Sequence, residues 1–192
     1  MIAIIKYNAG NTKSVQNALT RLGYKSIITD DHDAIKNADK VIFPGVGSAS
    51  SAMKYMKKHQ LDLLIPSLIQ PVLGICLGLQ LMCKSSEEGN TTCLGIFDTT
   101  VKKFPADDLV PQMGWNSFVR LSGSLFKGIN VHDDVYYVHS YYAELCVDTV
   151  AVCNYTVPFS SAIRRDNFYA TQFHPEKSAG IGEHILKNFL AL

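Results

Sequence analysis

The sequence predicts an α/β fold: an open, mainly parallel, twisted sheet flanked by helices, with an antiparallel extension. Two observations carry this. Up to residue 83, short apolar runs alternate with segments of helical periodicity, the pattern of β-α-β units with right-handed crossovers. Beyond residue 90 the texture changes to short β-type runs separated by turn residues. With 192 residues, 47% of them hydrophobic, the chain reads as one domain, 1–192, with a sizeable core.

The elements follow in order. Residues 2–7 form an apolar first strand, and a turn at 8–11 lets Asn11 cap the next helix. In that helix Val15, Ala18, Leu19 and Leu22 make one apolar face, and Gly23 ends it. A strand at 25–29 leads into a polar turn and short helix at 30–38, capped by Asp31, and then a strand at 40–43. Pro44, Gly45, Val46, Gly47 and Ser48 form a loop at a strand's C-terminal edge, where open α/β sheets place ligands. Ala49, Ala52, Met53 and Met56 continue a helix, and Leu61, Leu64, Ile65 and Leu68 a second helical stripe. A buried strand at 72–75 and a helix from Leu77 flank Cys76. Residues 87–90 read as a solvated loop. Strands are expected at 100–103, 117–121, 135–140, 150–154, 161–165 and 168–172, as an extension of the same sheet. The last element, 180–190, is an amphipathic helix facing inward with Ile181, Ile185, Leu186 and Phe189.

Composition excludes several functions. Charge is balanced, 18 Lys+Arg against 17 Asp+Glu, with no basic stripe for nucleic acid or polybasic anchor for a membrane. No apolar run reaches the roughly 18 residues of a membrane span, and the N-terminal run is too short for a signal peptide. The five cysteines are odd in number and lack C-x-x-C spacing, so reduced thiols, no zinc site and a cytoplasmic setting are expected.

The chemistry centres on Gly74-Ile-Cys76-Leu-Gly78. It reads as a nucleophile elbow with cysteine in place of serine: a tight strand-to-helix turn that exposes one side chain. The following helix points free N–H groups and its positive end at the sulfur, which favours the attacking thiolate. A cysteine nucleophile needs a base and a group to orient it. Of six histidines, His174 is the candidate, because it follows a strand directly and Pro175 stiffens the turn. Glu176 lies two residues on and can curl back to the imidazole. On spacing alone an ordinary strand-exit turn reads as well; the elbow tips the balance.

These motifs resemble the class I (triad) glutamine amidotransferases, whose flavodoxin-like three-layer architecture matches the fold class. Gly-Ile-Cys76-Leu-Gly-Leu-Gln80 and Phe-His174-Pro-Glu176-Lys-Ser match without a gap. Asn11 after the first strand, Phe-Pro-Gly-Val-Gly47, Gln112-Met-Gly-Trp-Asn116 and Tyr-Tyr-Val-His-Ser-Tyr141 narrow the likeness to glutaminase subunits of imidazole glycerol phosphate synthase. Lys6 and Asn8 depart from that pattern, which carries an acidic residue and a glycine around the first-strand tyrosine. The resemblance implies Cys76, His174 and Glu176 as the triad, and Val46, Gly47 and Leu77 around the oxyanion. It implies Gly45, Gln80, His139, Ser140 and Tyr141 for glutamine, and Asn11, Trp115, Asn116 and Lys177 on a partner face. It implies no cofactor and no metal. The implied partner is a (β/α)8-barrel cyclase that takes the ammonia and makes imidazole glycerol phosphate and an aminoimidazole carboxamide ribonucleotide. A paralogous subunit feeding another acceptor, such as a surface-polysaccharide sugar, fits the same motifs.

Overall fold

The computed structural model describes residues 1–7, 10–105 and 109–192. Asn8, one of the two departures noted above, lies outside the described residues. The first half runs β1 (Ile2–Ile5), α1 (Thr12–Arg21), β2 (Ser26–Thr29), α2 (His32–Lys36), β3 (Lys40–Gly45), α3 (Ala49–Lys58), α4 (Leu61–Leu64), β4 (Val72–Cys76) and α5 (Leu77–Met82). Next come the short strands β5 (Ser85–Ser86) and β6 (Thr91–Thr92), then β7 (Thr100–Lys103), β8 (Gln112–Asn116) and β9 (Arg120–Leu121). The chain closes with β10 (Val135–His139), β11 (Tyr141–Ala143), β12 (Thr149–Asn154), β13 (Pro158–Arg165), β14 (Phe168–Thr171) and α6 (Ala179–Leu190).

The main sheet has the order β2-β1-β3-β4-β14-β13-β12-β9. Pairings from β2 through β14 are parallel, and β13, β12 and β9 add on antiparallel. Successive strand residues serve opposite faces, so β1 sends Ile2 and Ile4 to one core and Ala3 and Ile5 to the other. The first core is closed by Val15 and Leu19 of α1 and Ile185 and Phe189 of α6. The second is closed by Ile35 of α2, Met53 and Met56 of α3, Leu61 of α4 and Leu79 of α5. Helices on both faces explain why β4 is buried throughout and reads as an unbroken apolar run.

Four expectations change. Asn11 does not cap α1: it sits at φ 77° with no capping hydrogen bond, and its side chain goes elsewhere. Asp31, by contrast, does cap α2, accepting from the Ala34 N–H at 2.8 Å. The expected strand at 117–121 survives only as Arg120–Leu121, and the Met-Gly-Trp-Asn run is itself the strand β8. The Asn116 carboxamide oxygen takes the Ser117 N–H at 2.9 Å, which ends β8 there. The antiparallel region is not one extension: β8 and β10 form a separate ribbon, and β11-β7-β5-β6 a separate small sheet. Finally, 87–90 is not merely solvated, since Glu88 turns inward and accepts the Ala49 N–H at 2.7 Å. Among the described residues no helix is long and apolar enough to cross a membrane.

Candidate active site

Strand β4 ends at Cys76 and α5 begins at Leu77, with nothing between them. That reversal puts Cys76 at φ 54°, ψ −106°, a conformation costly for a side-chain-bearing residue. Two glycines permit it. A Cβ on Gly78 would lie 1.9 Å from the Phe43 carbonyl oxygen, and one on Gly74 would sit 3.0 Å from the Gly78 backbone and the Met82 sulfur. The Leu77 N–H, first in α5, has no partner inside the helix and lies beside the thiol.

The neighbouring strand β14 delivers the other groups. Past its end come Gln172, Phe173 and His174, then a single 3-10 turn, Pro175–Lys177. His174 Nδ1 meets Glu176 Oε1 at 2.7 Å, both side chains fully buried. Asn11 Nδ2 donates to the same carboxylate oxygen, which is where its side chain goes instead of to the cap. The turn is stitched down: the His174 N–H donates to the Tyr136 carbonyl at 2.9 Å, and Ser178 Oγ donates to the His174 carbonyl at 2.6 Å. Helix α6 packs so tightly beneath that a Cβ on Gly182 would lie 1.9 Å from the Pro175 carbonyl oxygen.

Burial alone would pull the His174 imidazole down, but the Cys76 sulfur and then the Glu176 carboxylate outweigh it and raise its pKa from 6.5 to about 10. Its Nε2 makes no hydrogen bond in this conformation, as is common before substrate draws a catalytic pair together. An imidazolium held between a sulfur and a carboxylate is chemically a proton donor next to a nucleophile.

Above the sulfur opens a cavity of about 280 Å³. Val46, Gly47 and Leu77 form the wall expected for an oxyanion, and Gln80, His139, Ser140 and Tyr141 form much of the rest. Gly45 is not in the lining. It is the last residue of β3, paired with Cys76, and a Cβ there would lie 1.8 Å from the Tyr7 hydroxyl. Gly47 has φ 113°, which only glycine adopts readily. His139 is held neutral, with its pKa pushed by burial from 6.5 to about 4. Its Nδ1 lies 2.8 Å from the Tyr141 carbonyl, so Nδ1 carries the proton and Nε2 is an acceptor.

Three lining residues escape sequence reasoning: Glu88, Pro111 and Val138. Glu88 is the carboxylate in the lining and reaches the cavity from the β5–β6 turn, a placement that no local pattern encodes. Gln172, just past the end of β14 and two residues before His174, also escapes sequence reasoning.

Of the four residues expected on a partner face, Trp115 is 54% exposed and Lys177 is exposed beside it. Trp115 packs edge-on against Tyr136 at 6.0 Å, and Lys177 Nζ stands 5.9 Å from the same ring. Asn116 is only half-buried and spends its amide on the Asn154 carbonyl at 3.0 Å, while Asn11 faces Glu176.

Comparison with known proteins agrees with this geometry. The model of the family "Glutamine amidotransferase class-I" matches residues 3–192. The chain is 56% identical to imidazole glycerol phosphate synthase subunit HisH of Bacteroides fragilis, over 100% of this chain and 99% of that one. It is 53% identical to the subunit of the same name from Bacteroides thetaiotaomicron, with the same coverage. A crystal structure of a glutamine amidotransferase superposes with a TM-score of 0.75 at 16% identity, covering 99% of this chain and 97% of the other. With a cysteine at a glycine-built elbow, an imidazole and carboxylate just past the adjoining strand and a family match over nearly its whole length, the chain belongs to the class I glutamine amidotransferases.

Proposed function

We propose that this chain is the glutaminase subunit of an imidazole glycerol phosphate synthase. The observation that carries the reading is the row Cys76, His174, Glu176 beneath a cavity walled by Val46, Gly47 and Leu77. The full-length likeness to subunits bearing that name supports the choice of complex.

In this reading the Cys76 thiolate attacks the side-chain carboxamide carbon of glutamine. The carbonyl oxygen becomes an oxyanion, stabilised by the Leu77 N–H and an N–H of the Val46–Gly47 wall. As the tetrahedral adduct collapses, His174 gives its proton to the departing nitrogen, which leaves as ammonia, and a thioester remains. His174, now neutral, takes a proton from water as its oxygen attacks the thioester. Collapse of the second adduct returns the thiolate and releases glutamate. Glu176 and Asn11 keep the imidazole oriented and Glu176 stabilises its charged form. At the other end of the substrate, Glu88 faces the α-ammonium, while Gln80 and the His139–Tyr141 segment hold the rest of the amino-acid end. Gly45 contributes from below: without a Cβ it leaves room for the Tyr7 hydroxyl and the Leu77 side chain.

The partner in this reading is a (β/α)8-barrel cyclase that receives the ammonia, in the cytoplasm. Beside the cavity mouth the ribbon β8–β10 presents Met113, 66% exposed, and Trp115 on one outward face, a surface suited to burial against another subunit. The test is the complex assembled with its synthase partner. Cys76→Ser should abolish glutamine-dependent synthesis and spare synthesis from an added ammonium salt. Loss of both, with fold and assembly intact, would overturn the division of labour.

A further inference from the structure

We infer that Gln172 is a working part of this site: its carboxamide donates to the Cys76 sulfur and at the same time locks the orientation of Gln80. The inference rests on the glutaminase reading above. Gln172 is fully buried, beside the nucleophile. Its Nε2 lies 3.6 Å from Cys76 Sγ, a normal distance for an N–H donor on sulfur. Gln80 Nε2 lies 3.1 Å from Gln172 Oε1 and 2.9 Å from the Tyr141 carbonyl.

The polarity of this chain is fixed by its far end. A backbone carbonyl only accepts, so the Gln80 group facing Tyr141 is the NH2. The second proton of that NH2 points to Gln172, so Gln172 presents its oxygen there. Its own NH2 is then left for the sulfur. The sulfur therefore meets a donor, and an acceptor in that place would break the whole relay. A thiolate has only lone pairs to offer, so the N–H supports the attacking form and holds it through each return of the sulfur. The neutral thiol has a different and longer contact, to the Val138 carbonyl at 4.0 Å. The same amide that steadies the nucleophile also leaves the Gln80 oxygen as the free end of that side chain, in the cavity lining.

Two substitutions in the assembled complex separate the two ends. Gln172→Glu, ionised, keeps an oxygen for Gln80 and replaces the donor to sulfur with a like charge. Iodoacetamide alkylation of Cys76 at pH 7 and glutaminase kcat should each fall at least roughly ten- to hundredfold, the loss of one hydrogen bond to a charged group with like-charge repulsion added, with KM changed less than about threefold. Gln172→Met, an apolar residue of similar length, removes both bonds, so KM should rise as well. Ammonia-dependent synthesis serves as the check on fold and assembly. In the unaltered protein, the side-chain amide signal of Gln172 should shift in NMR when iodoacetamide caps Cys76, a readout that needs no variant. Alkylation and kcat within twofold of the parent in a folded variant, or an unmoved amide signal, would overturn the inference. Glutamate release that survived Cys76→Ser would instead overturn the glutaminase reading itself.

Discussion

At the residue scale, two side chains are held in charge states that their neighbours dictate. His139 is neutral because burial depresses it to about 4, while in the unfolded chain it titrates near 6.5. Between those values the unfolded chain binds the extra proton. The stabilisation is therefore present above pH 6.5 and is lost as pH falls toward 4, by an amount on the order of 3 kcal/mol. Chemical denaturation of the parent and of His139→Gln across that range should show a shallower acid decline in the variant; parallel curves would contradict the assignment. His174 runs the other way: raised to about 10, its contribution is complete below pH 6.5 and is lost as pH rises toward 10. Glycine chemistry is equally specific. Gly78→Ala places a Cβ 1.9 Å from a strand carbonyl that cannot move without breaking β3. It should cost at least about 2 kcal/mol of stability, or prevent folding, read as a lowered denaturation midpoint.

At the scale of elements, the first half was legible because β1, β3 and β4 are apolar on both faces and α1 and α3 each carry one apolar stripe. The β-α-β reading from Ile2 to Met82 follows from that periodicity, and its bounds shift by a residue or two. The second half was less legible because pairing partners, not patterns, decide which sheet a short strand joins. Nothing in Gln112–Asn116 says that it pairs with Val135–His139 apart from the main sheet. The elbow and the turn from His174 to Glu176 were readable because local glycines and a proline build them. Glu88 was not, since its role depends on the small sheet folding it over the N-terminus of α3. Asn11 misled for a related reason: a cap is a local solution, and a buried carboxylate offered a stronger one. The ribbon also yields a prediction. Its outward face carries Trp115 and Met113, and Lys177, from the turn after β14, lies over the Tyr136 ring. Trp115→Ala should weaken assembly by about 2 kcal/mol or more if it is a central aromatic anchor. Lys177→Ala should weaken it less or uncouple glutamine use from product. Unchanged affinity and stoichiometry in both would remove this face from the interface.

At the scale of the whole molecule, sheet order assembles the site. The adjacent parallel strands β3, β4 and β14 each end at the same edge, and they deliver Gly45, Cys76 and, just beyond, His174. Gly10 and Asn11 close the arrangement from the side. A Cβ on Gly10 would lie 3.1 Å from a Val46 methyl, and Asn11 reaches Glu176. Val46 and Gly47 are exposed and line the cavity. A partner seated on this edge can press on the loop while remaining clear of Cys76. The loop has the freedom to respond: a peptide plane beside glycine has two accessible orientations, one offering an N–H to the oxyanion and the other a carbonyl oxygen that repels it. Lacking one oxyanion donor costs roughly 100- to 1,000-fold in rate. A partner with its acceptor bound selects the productive orientation if it makes better contacts with it. Ammonia would then be made only where it is used. Glutamate release should be slow for the chain alone, faster with the partner, and faster by up to those factors with partner and acceptor ligand together. Equal rates in the three states would mean that the loop is already set and is not coupled to the partner.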